Sequence, residues 1–268
     1  MKQMARSPAH YRYACEHAKD PSRAMTVGAV GDAIVFGTPD RIAIYPGPTR
    51  RGKEWDAFKA LNPGKTIAIQ SEVDDATGAA EAILRDPIAG PILAECETQI
   101  VIQWEQMGLP CASGIVGERG GIDALHRGTA GPNKNGFLPT IWDVKCVGVD
   151  VDPEGLAKHA WRQHWHGQLA WLVDGWNAAI LCGDVEVKGA VPVECAGLIC
   201  VEANPPHCVT VMRCTPEALD HGRRSIRLWL ERLAACEAEA ERNPRYVWPG
   251  YVQTIAEMGV PAWLDEES

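Results

Sequence analysis

Two acids and a lysine, on segments that are predicted to be neighbouring strands, are the residues of this chain best suited to chemistry. Residues 139–148 are rich in β-branched and aromatic residues and are bounded by Pro and Gly, which predicts a strand. Because successive strand side chains point to opposite faces, Asp143 and Lys145 would project from the same face. Residues 121–125 predict a second strand, which carries Asp123. An acid and a lysine are costly to bury on an apolar strand unless they are paired or bind something.

This set of side chains suits the metal-assisted cleavage of a phosphodiester. Carboxylate oxygens such as those of Asp123 and Asp143 are the ligands that Mg²⁺ prefers, and the metal activates a water and neutralises charge on the phosphate. Lys145 would orient that water, help to deprotonate it or stabilise the developing negative charge. The simpler alternative is a structural ion pair between Asp143 and Lys145, and the pattern alone leaves it open.

Composition limits the class of protein and its compartment. The 268 residues suffice for one large domain or two small ones, with 46% hydrophobic and 23% charged residues as in soluble globular proteins. The net charge of −9 argues mildly against nucleic acid, although an acidic body can carry a local basic groove. No apolar run reaches the roughly 18 residues of a membrane span. Ten cysteines, with no secretory signal, indicate reduced thiols, so we expect a cytoplasmic protein that is not membrane-bound.

The order of predicted elements favours an α/β fold with a central mixed β-sheet flanked by helices, as one domain over residues 1–268. Consecutive strands joined by turns indicate an antiparallel or mixed sheet, and helices flanking it complete the layers. The aromatic tail 248–263 is expected to pack back on the body. The strands are predicted at 97–104, 111–116, 121–125, 139–148, 185–187, 196–202 and 208–214, and the longest helices at 154–178 and 216–242.

Several of these segments, in order, resemble the PD-(D/E)XK nuclease superfamily. The core of the resemblance is residues 119–125, 141–145 and 165–175, and more narrowly it is to RecE-like phage exonucleases of the exodeoxyribonuclease VIII type, relatives of lambda exonuclease. Segments 49–55 and 201–206, together with the aromatic tail, extend the resemblance along most of the chain. No single segment is specific, whereas the ordered set is considerably more so.

The resemblance implies a restriction-endonuclease-like fold and a Mg²⁺-dependent exonuclease, for which Mn²⁺ is a possible substitute. The family digests linear double-stranded DNA from its ends, typically 5′ to 3′, and leaves single strands for an annealing protein. It also implies a ring-shaped homo-oligomer around the DNA. The expected partners are therefore double-stranded DNA ends and a single-strand annealing protein in a bacterial host cell.

The family's site residues carry over to positions of this sequence that match its motifs. Asp123 and Asp143 match the metal-binding acids, and Lys145 matches the lysine. Gln168 matches the glutamine of the helix motif. Glu97 resembles the upstream acid, which would make it a third metal ligand, although Glu95 is close enough to compete.

Two departures from the family pattern bear on activity. Asp32 stands where the family often has His in a Gly-x-x-x-His motif, and Leu172 stands where Tyr usually follows the glutamine. An aspartate can still bind Mg²⁺, so activity need not be lost. These departures are the main support for an alternative, a non-catalytic DNA-binding or scaffold protein that retains the nuclease fold.

Basic residues and cysteines give two further hypotheses. Four side chains are candidate contacts to a DNA backbone: Arg119, Arg127, Arg162 and His166. Four cysteines raise a second alternative, a RecB-like nuclease with an iron–sulfur cluster: Cys195, Cys200, Cys208 and Cys214. Their spacing on strand-like segments favours buried free thiols over a cluster.

Overall fold

The computed structural model describes residues 2–17, 20–105, 117–128, 138–182 and 190–251. These residues form the α-helices α1 (Pro8–Glu16), α2 (Arg23–Val35), α3 (Lys53–Leu61), α4 (Gln70–Arg85), α5 (Ala89–Ala94), α6 (Pro153–Arg162), α7 (Trp165–Cys182) and α8 (Pro216–Arg242). They also form the strands β1 (Ile42–Tyr45), β2 (Thr66–Ile69), β3 (Glu97–Glu105), β4 (Gly117–His126), β5 (Thr140–Val147), β6 (Cys195–Glu202) and β7 (Val209–Cys214). Short 3-10 helices cover Lys2–Ala5 and Pro39–Arg41.

A five-stranded mixed sheet lies at the centre of the fold, in the order β3-β4-β5-β6-β7. Strands β5 and β6 are parallel, and the other neighbours are antiparallel. The parallel pair is joined through α6 and α7, as a parallel connection requires a crossover. Helix α7 packs on one face of the sheet, and α4 and α5 pack on the other. The predicted fold class, α/β with a central mixed sheet flanked by helices, is confirmed.

Strand β5 is buried on both faces because helices cover both sides of the sheet. Its residues Ile141 and Val147 pack with the α7 core, whereas Trp142 and Val144 pack with the core built on α4 and α5. Alternation therefore places Asp143 on the α7 face, where it is only 2% exposed. A carboxylate at this depth needs partners, which sets the position of the site.

A second, two-stranded sheet precedes the central one in the chain. Strands β1 and β2 are parallel and are connected through α3. Tyr45 at the end of β1 packs edge-on against Trp55 of α3, with ring centroids 5.2 Å apart. Strand β2 leads directly into α4, which packs against α2. This arrangement holds α2 beside the central sheet.

The single helix predicted over residues 154–178 is wrong, because the structure has two. Helix α6 ends at Arg162 and α7 begins at Trp165. His164 lies between them with φ of 56°, in the left-handed region, so the helix cannot continue through it. In contrast, α8 spans the predicted residues 216–242, and Thr215 accepts a hydrogen bond from the Ala218 N–H at its start.

Other predictions fall partly on residues that the structure describes. The described part of the aromatic tail packs on α1, where the Ala9 N–H donates to the Pro249 carbonyl at 3.0 Å. The strands predicted at 111–116 and 185–187, and the tail from residue 252, lie outside the described residues. Within the described ranges, no helix is both long and apolar enough to cross a membrane. The eight cysteines whose side chains are described are all free thiols.

Candidate active site

The candidate catalytic residues meet at the point where β4 and β5 stop pairing. The backbone ladder between these strands ends at the pair Ala124 and Trp142. Beyond that pair, Asp123 Oδ2 accepts a hydrogen bond from the Val144 N–H at 3.0 Å. The side chain of Asp123 thus takes the role of a strand partner, and its carboxylate lies in the opening between the strands.

Asp143, Lys145 and Gln168 are brought together as the sequence predicts. Lys145 forms an ion pair with Asp143 Oδ2, and the Gln168 Nε2 donates to Asp143 Oδ1 at 2.9 Å. Burial alone would lower the pKa of Lys145, but the carboxylates of Asp143, Asp123 and Asp32 outweigh it and raise that pKa. Lys145 is therefore a firmly charged ammonium group.

Asp32, the departure from the family pattern, belongs to the same cluster. Helix α2 packs against β5 and carries Asp32 toward the opening. Burial, followed by repulsion from Asp123 and Asp143, raises the pKa of Asp32 to about 7, against the opposing effect of Lys145. The cluster therefore contains three carboxylates and a single ammonium.

The pKa of Asp123 is also raised, to about 6. Burial is the main cause, and repulsion from Asp143 adds to it. Hydrogen bonds from Val144 and Gln99 and the charge of Lys145 act in the opposite direction. At both Asp123 and Asp32, repulsion from neighbouring carboxylates adds to burial in raising the pKa, and the charge of Lys145 offsets only part of the shift.

Gln99 is a site residue that the sequence analysis missed. The pairing of β3 with β4 places it opposite Asp123, to which its side chain donates a hydrogen bond. Its Oε1 accepts from Arg41 Nη1 at 2.9 Å, which fixes which end of the amide faces Asp123. Gln99 has φ of 55°, a strained value for a non-glycine residue. In the sequence, the only indication of a role for Gln99 is its position two residues after Glu97, and a glutamine is not an expected metal-binding acid.

Glu97, the predicted upstream acid, is not brought to the cluster. It forms an ion pair with Arg127, a predicted DNA contact. Its competitor Glu95 lies 3.2 Å from Nε2 of His126. Neither glutamate contributes to the pKa shift of Asp123. The third carboxylate of the cluster comes from α2 instead. Asp32 interacts with Asp123, Lys145 and Asp143, whereas Glu97 forms its ion pair with Arg127.

The remaining predicted DNA contacts are placed differently from one another. His166 is only 6% exposed, and its Nε2 lies 3.2 Å from Nδ1 of His221. Burial and the neighbouring histidines lower the pKa of His166 to about 4, so its imidazole is neutral near pH 7. Arg162 is exposed at the end of α6. The side chain of Arg119 lies outside the described residues, although its backbone pairs in β4.

The residues of the cluster fit a divalent cation in donor type and charge. Asp32, Asp123 and Asp143 offer hard oxygen donors, as Mg²⁺ and Mn²⁺ prefer. Across the described part of the chain, no three His, Cys, Asp or Glu side chains already stand at ligand spacing around one point. In this arrangement Lys145 and Gln168 engage both oxygens of Asp143. A cation would therefore bind by displacing contacts that the protein now makes to itself.

The cysteines give the iron–sulfur alternative no support. Burial raises the pKa of Cys200 to about 12 and that of Cys214 to about 11, whereas cluster ligands must be thiolates. Cys195 begins β6 and is half-buried, whereas Cys208 precedes β7 and is exposed. No three of the described cysteines form a group that would hold metal.

Comparison with known proteins shows a similarity to a solved structure. The sequence matches no protein-family model, and no curated protein is significantly similar to it. The structure is similar to a crystal structure of a protein from Eubacterium rectale that carries a provisional assignment as an exonuclease. The two chains superpose with a TM-score of 0.54 at 11% sequence identity, over 97% of this chain and 85% of that one. At this identity the similarity establishes a shared fold.

Proposed function

We propose that this protein is a Mg²⁺-dependent exonuclease of the PD-(D/E)XK superfamily, RecE-like in type, which degrades linear double-stranded DNA. The observation that carries the proposal is the cluster of Asp32, Asp123 and Asp143 with Lys145, at the point where β4 and β5 diverge. A plain structural ion pair would not place two further carboxylates against Asp143 and raise their pKa values. The provisional exonuclease assignment of the structural neighbour supports the same class of activity.

Each residue of the cluster has a chemical role in this proposal. Asp123, Asp143 and Asp32 would hold the metal through carboxylate oxygens. A bound Mg²⁺ supplies a Lewis acid that polarises the scissile phosphate and eases deprotonation of the attacking water. Lys145, released from Asp143, would stabilise negative charge developing on the phosphate. Gln168 would keep the Asp143 carboxylate in a fixed orientation through its amide.

The finer parts of the proposal rest on the resemblance to RecE-like exonucleases. They are 5′ to 3′ polarity, delivery of single strands to an annealing protein, and a ring-shaped homo-oligomer in the cytoplasm of a bacterial host. A closed ring would admit free DNA ends and exclude covalently closed circles. The acidic net charge of −9 would keep DNA from binding elsewhere on the surface.

Release of acid-soluble nucleotides from linear double-stranded DNA tests the proposal. We expect degradation with Mg²⁺, none with EDTA, and none of a covalently closed circle. Lys145→Ala should lower the rate by roughly 10²–10³-fold, as expected when a group that stabilises transition-state charge is removed. Lys158→Ala is the matched control, because Lys158 is an exposed lysine paired with Glu154 on α6, and its rate should be unchanged.

The contrary result is equally clear. If the protein binds linear DNA but releases no nucleotide with either Mg²⁺ or Mn²⁺, it is the non-catalytic DNA-binding protein of the alternative hypothesis. If Lys145→Ala and Lys158→Ala degrade DNA at the same rate, catalysis does not occur at this cluster.

A further inference from the structure

A cavity of about 350 Å³ opens directly beside Gln168. It lies between the N-terminal 3-10 helix, the junction of α6 with α7, and α8. Its volume is within the range of small-molecule sites, roughly 300–1,000 Å³. The lining residues are Lys2, Gln163, His164, Gly167, Gln168, Trp171, Ile226 and Trp229.

The cavity lining is suited to a planar aromatic ligand that carries negative charge. Trp171 and Trp229 offer two indole rings, and His164 stands edge-on to Trp229 with centroids 5.1 Å apart. Gln163 offers both a donor and an acceptor for the edge of a heterocycle. Lys2 places an ammonium group at the boundary. Nucleobases combine these features, since each has a π-face for stacking and a polar edge, and its backbone is anionic.

Gln168 links the cavity to the carboxylate cluster. The Gln168 side chain lines the cavity and also donates to Asp143 at 2.9 Å. Gly167 faces Trp229 across this space, since a Cβ at that position would make an ordinary contact, 3.9 Å from ring atoms of Trp229. A larger side chain there would occupy the cavity without removing any aromatic ring.

A second cavity, of about 250 Å³, provides a contrast. It is bounded by Trp161 and His166 and by mainly apolar groups of α6, α7, β6 and β7. Gln168, which bonds Asp143, lines the first cavity but not this one. Both cavities are lined by tryptophan. Substitutions in the second cavity therefore test whether any indole ring affects DNA binding, or only one beside Gln168.

We propose that the cavity beside Gln168 is a nucleobase subsite, which receives one base of the DNA strand whose phosphodiester lies at the carboxylate cluster. This inference rests on the proposed function and adds the contact that would hold the strand end in register. Stacking of a base on an aromatic side chain contributes roughly 5- to 150-fold in affinity. The subsite would therefore be a large part of the affinity for a DNA end.

The test uses linear duplexes that carry the fluorescent base 2-aminopurine at the first, second or third position from either end. Binding is measured with Mg²⁺ in the Lys145→Ala background, so that the DNA stays intact. We expect quenching at one position only, because a stacked base is quenched by the indole. Trp171→Leu and Gly167→Leu should abolish that quenching and weaken binding by roughly 5- to 150-fold.

Matched variants make the result specific. Trp161→Leu removes the half-exposed indole of the second cavity and should leave both quenching and affinity unchanged. Trp171→Phe should retain most of the quenching, since it keeps an aromatic face. Trp171 also packs edge-on against Trp104, so Gly167→Leu serves as the variant that leaves this packing intact.

Two outcomes would overturn the inference. One is DNA binding with no position-dependent quenching. The other is quenching that survives both Trp171→Leu and Gly167→Leu, or that Trp161→Leu removes equally. Either result, combined with normal degradation by the unmodified protein, would reject the subsite and leave the proposed exonuclease intact. Failure of the unmodified protein to degrade DNA would instead reject the proposed function.

Discussion

At the scale of single residues, Asp32 and Asp123 keep their protons to higher pH than ordinary aspartates. Their pKa values are about 7 and about 6, because burial removes water and Asp143 adds repulsion. Lys145 is the only positively charged group among those that shift these two pKa values, and it lowers both of them. We therefore expect the protonation state of these two carboxylates to affect both the stability of the protein and the cation binding proposed above.

Asp32→Asn should stabilise the metal-free protein at high pH. The pKa of Asp32 is near 3.8 when unfolded and about 7 when folded, so the folded state binds more protons between these values. Stability therefore falls as pH rises from about 4 to about 7. Asparagine removes this loss. We expect the melting temperature at pH 8 to rise by about 2–6 °C, with little change near pH 4, by differential scanning calorimetry. The exposed Asp40→Asn is the control, and equal shifts in both variants would contradict the assignment.

Gln99→Met should weaken cation binding at neutral pH. Loss of the Gln99 hydrogen bond removes one of the effects that lower the pKa of Asp123, so its proton is harder to displace. Removing such an outer hydrogen bond typically costs roughly 10–100-fold in metal affinity. Isothermal titration with Mn²⁺ at pH 7 measures the change. Gln70→Met, which removes an amide bonded to the exposed Asp74, should leave the dissociation constant as it was.

At the scale of elements, the divergence of β4 from β5 coincides with a break in the side-chain alternation of β4. Ile122 packs in the core on the α7 face, whereas Ala124 packs in the core built on α4 and α5. Residues two apart on a regular strand share a face, so the alternation is interrupted at Asp123. The left-handed backbone of Gln99 lies directly opposite in β3. The hydrogen bond between Asp123 and Gln99 therefore forms where both strands depart from regular geometry.

Gly222→Ala should destabilise the contact between α7 and α8. A Cβ at residue 222 would lie 2.5 Å from the carbonyl oxygen of His166 and 2.9 Å from its carbon, which are backbone atoms that cannot rotate away. Overpacking of this kind costs about 1–3 kcal/mol, more than the roughly 1 kcal/mol gained in helix propensity. Urea denaturation measures the loss.

Gly31→Ala in α2 is the matched substitution. Its Cβ would lie 3.8 Å from the Ala76 carbonyl oxygen, an ordinary contact, so propensity should prevail and the free energy of unfolding should hold or rise. If Gly222→Ala were as stable as Gly31→Ala, the helices would have to be spaced more widely than the structure shows.

The sequence predicts the elements and part of the site, and the limits have physical causes. Asp143 and Lys145 were predictable because alternation on one strand fixes their shared face. Gln99 was not, since its approach to Asp123 depends on a strained φ that no residue pattern signals. The break at His164 was missed for the same reason. Glu97 was a reasonable choice of acid until its pairing with Arg127 was known, because pairing across β3 and β4 is set by register.

At the scale of the whole molecule, binding of a cation should be visible as stability. A ligand that binds only the folded state stabilises it, by about 2.7 kcal/mol at 100 times its dissociation constant. For a chain of this size that corresponds to about 5–10 °C in melting temperature. Carboxylate ligands must lose their protons, so the increment with Mg²⁺ should be small at pH 5 and full at pH 8. Asp123→Asn with Asp143→Asn should abolish it, and an equal increment in that double variant would place the cation elsewhere.

The ion pair between Lys145 and Asp143 would allow the protein to fold before it binds a cation. A domain that needs zinc to fold stays unfolded until its metal arrives, because nothing else compensates its ligands. Here Lys145 supplies a positive charge beside the carboxylates, so the sheet can fold before Mg²⁺ is bound. The molecule would then be made in a resting form and be switched on by exchange of one positive charge for another.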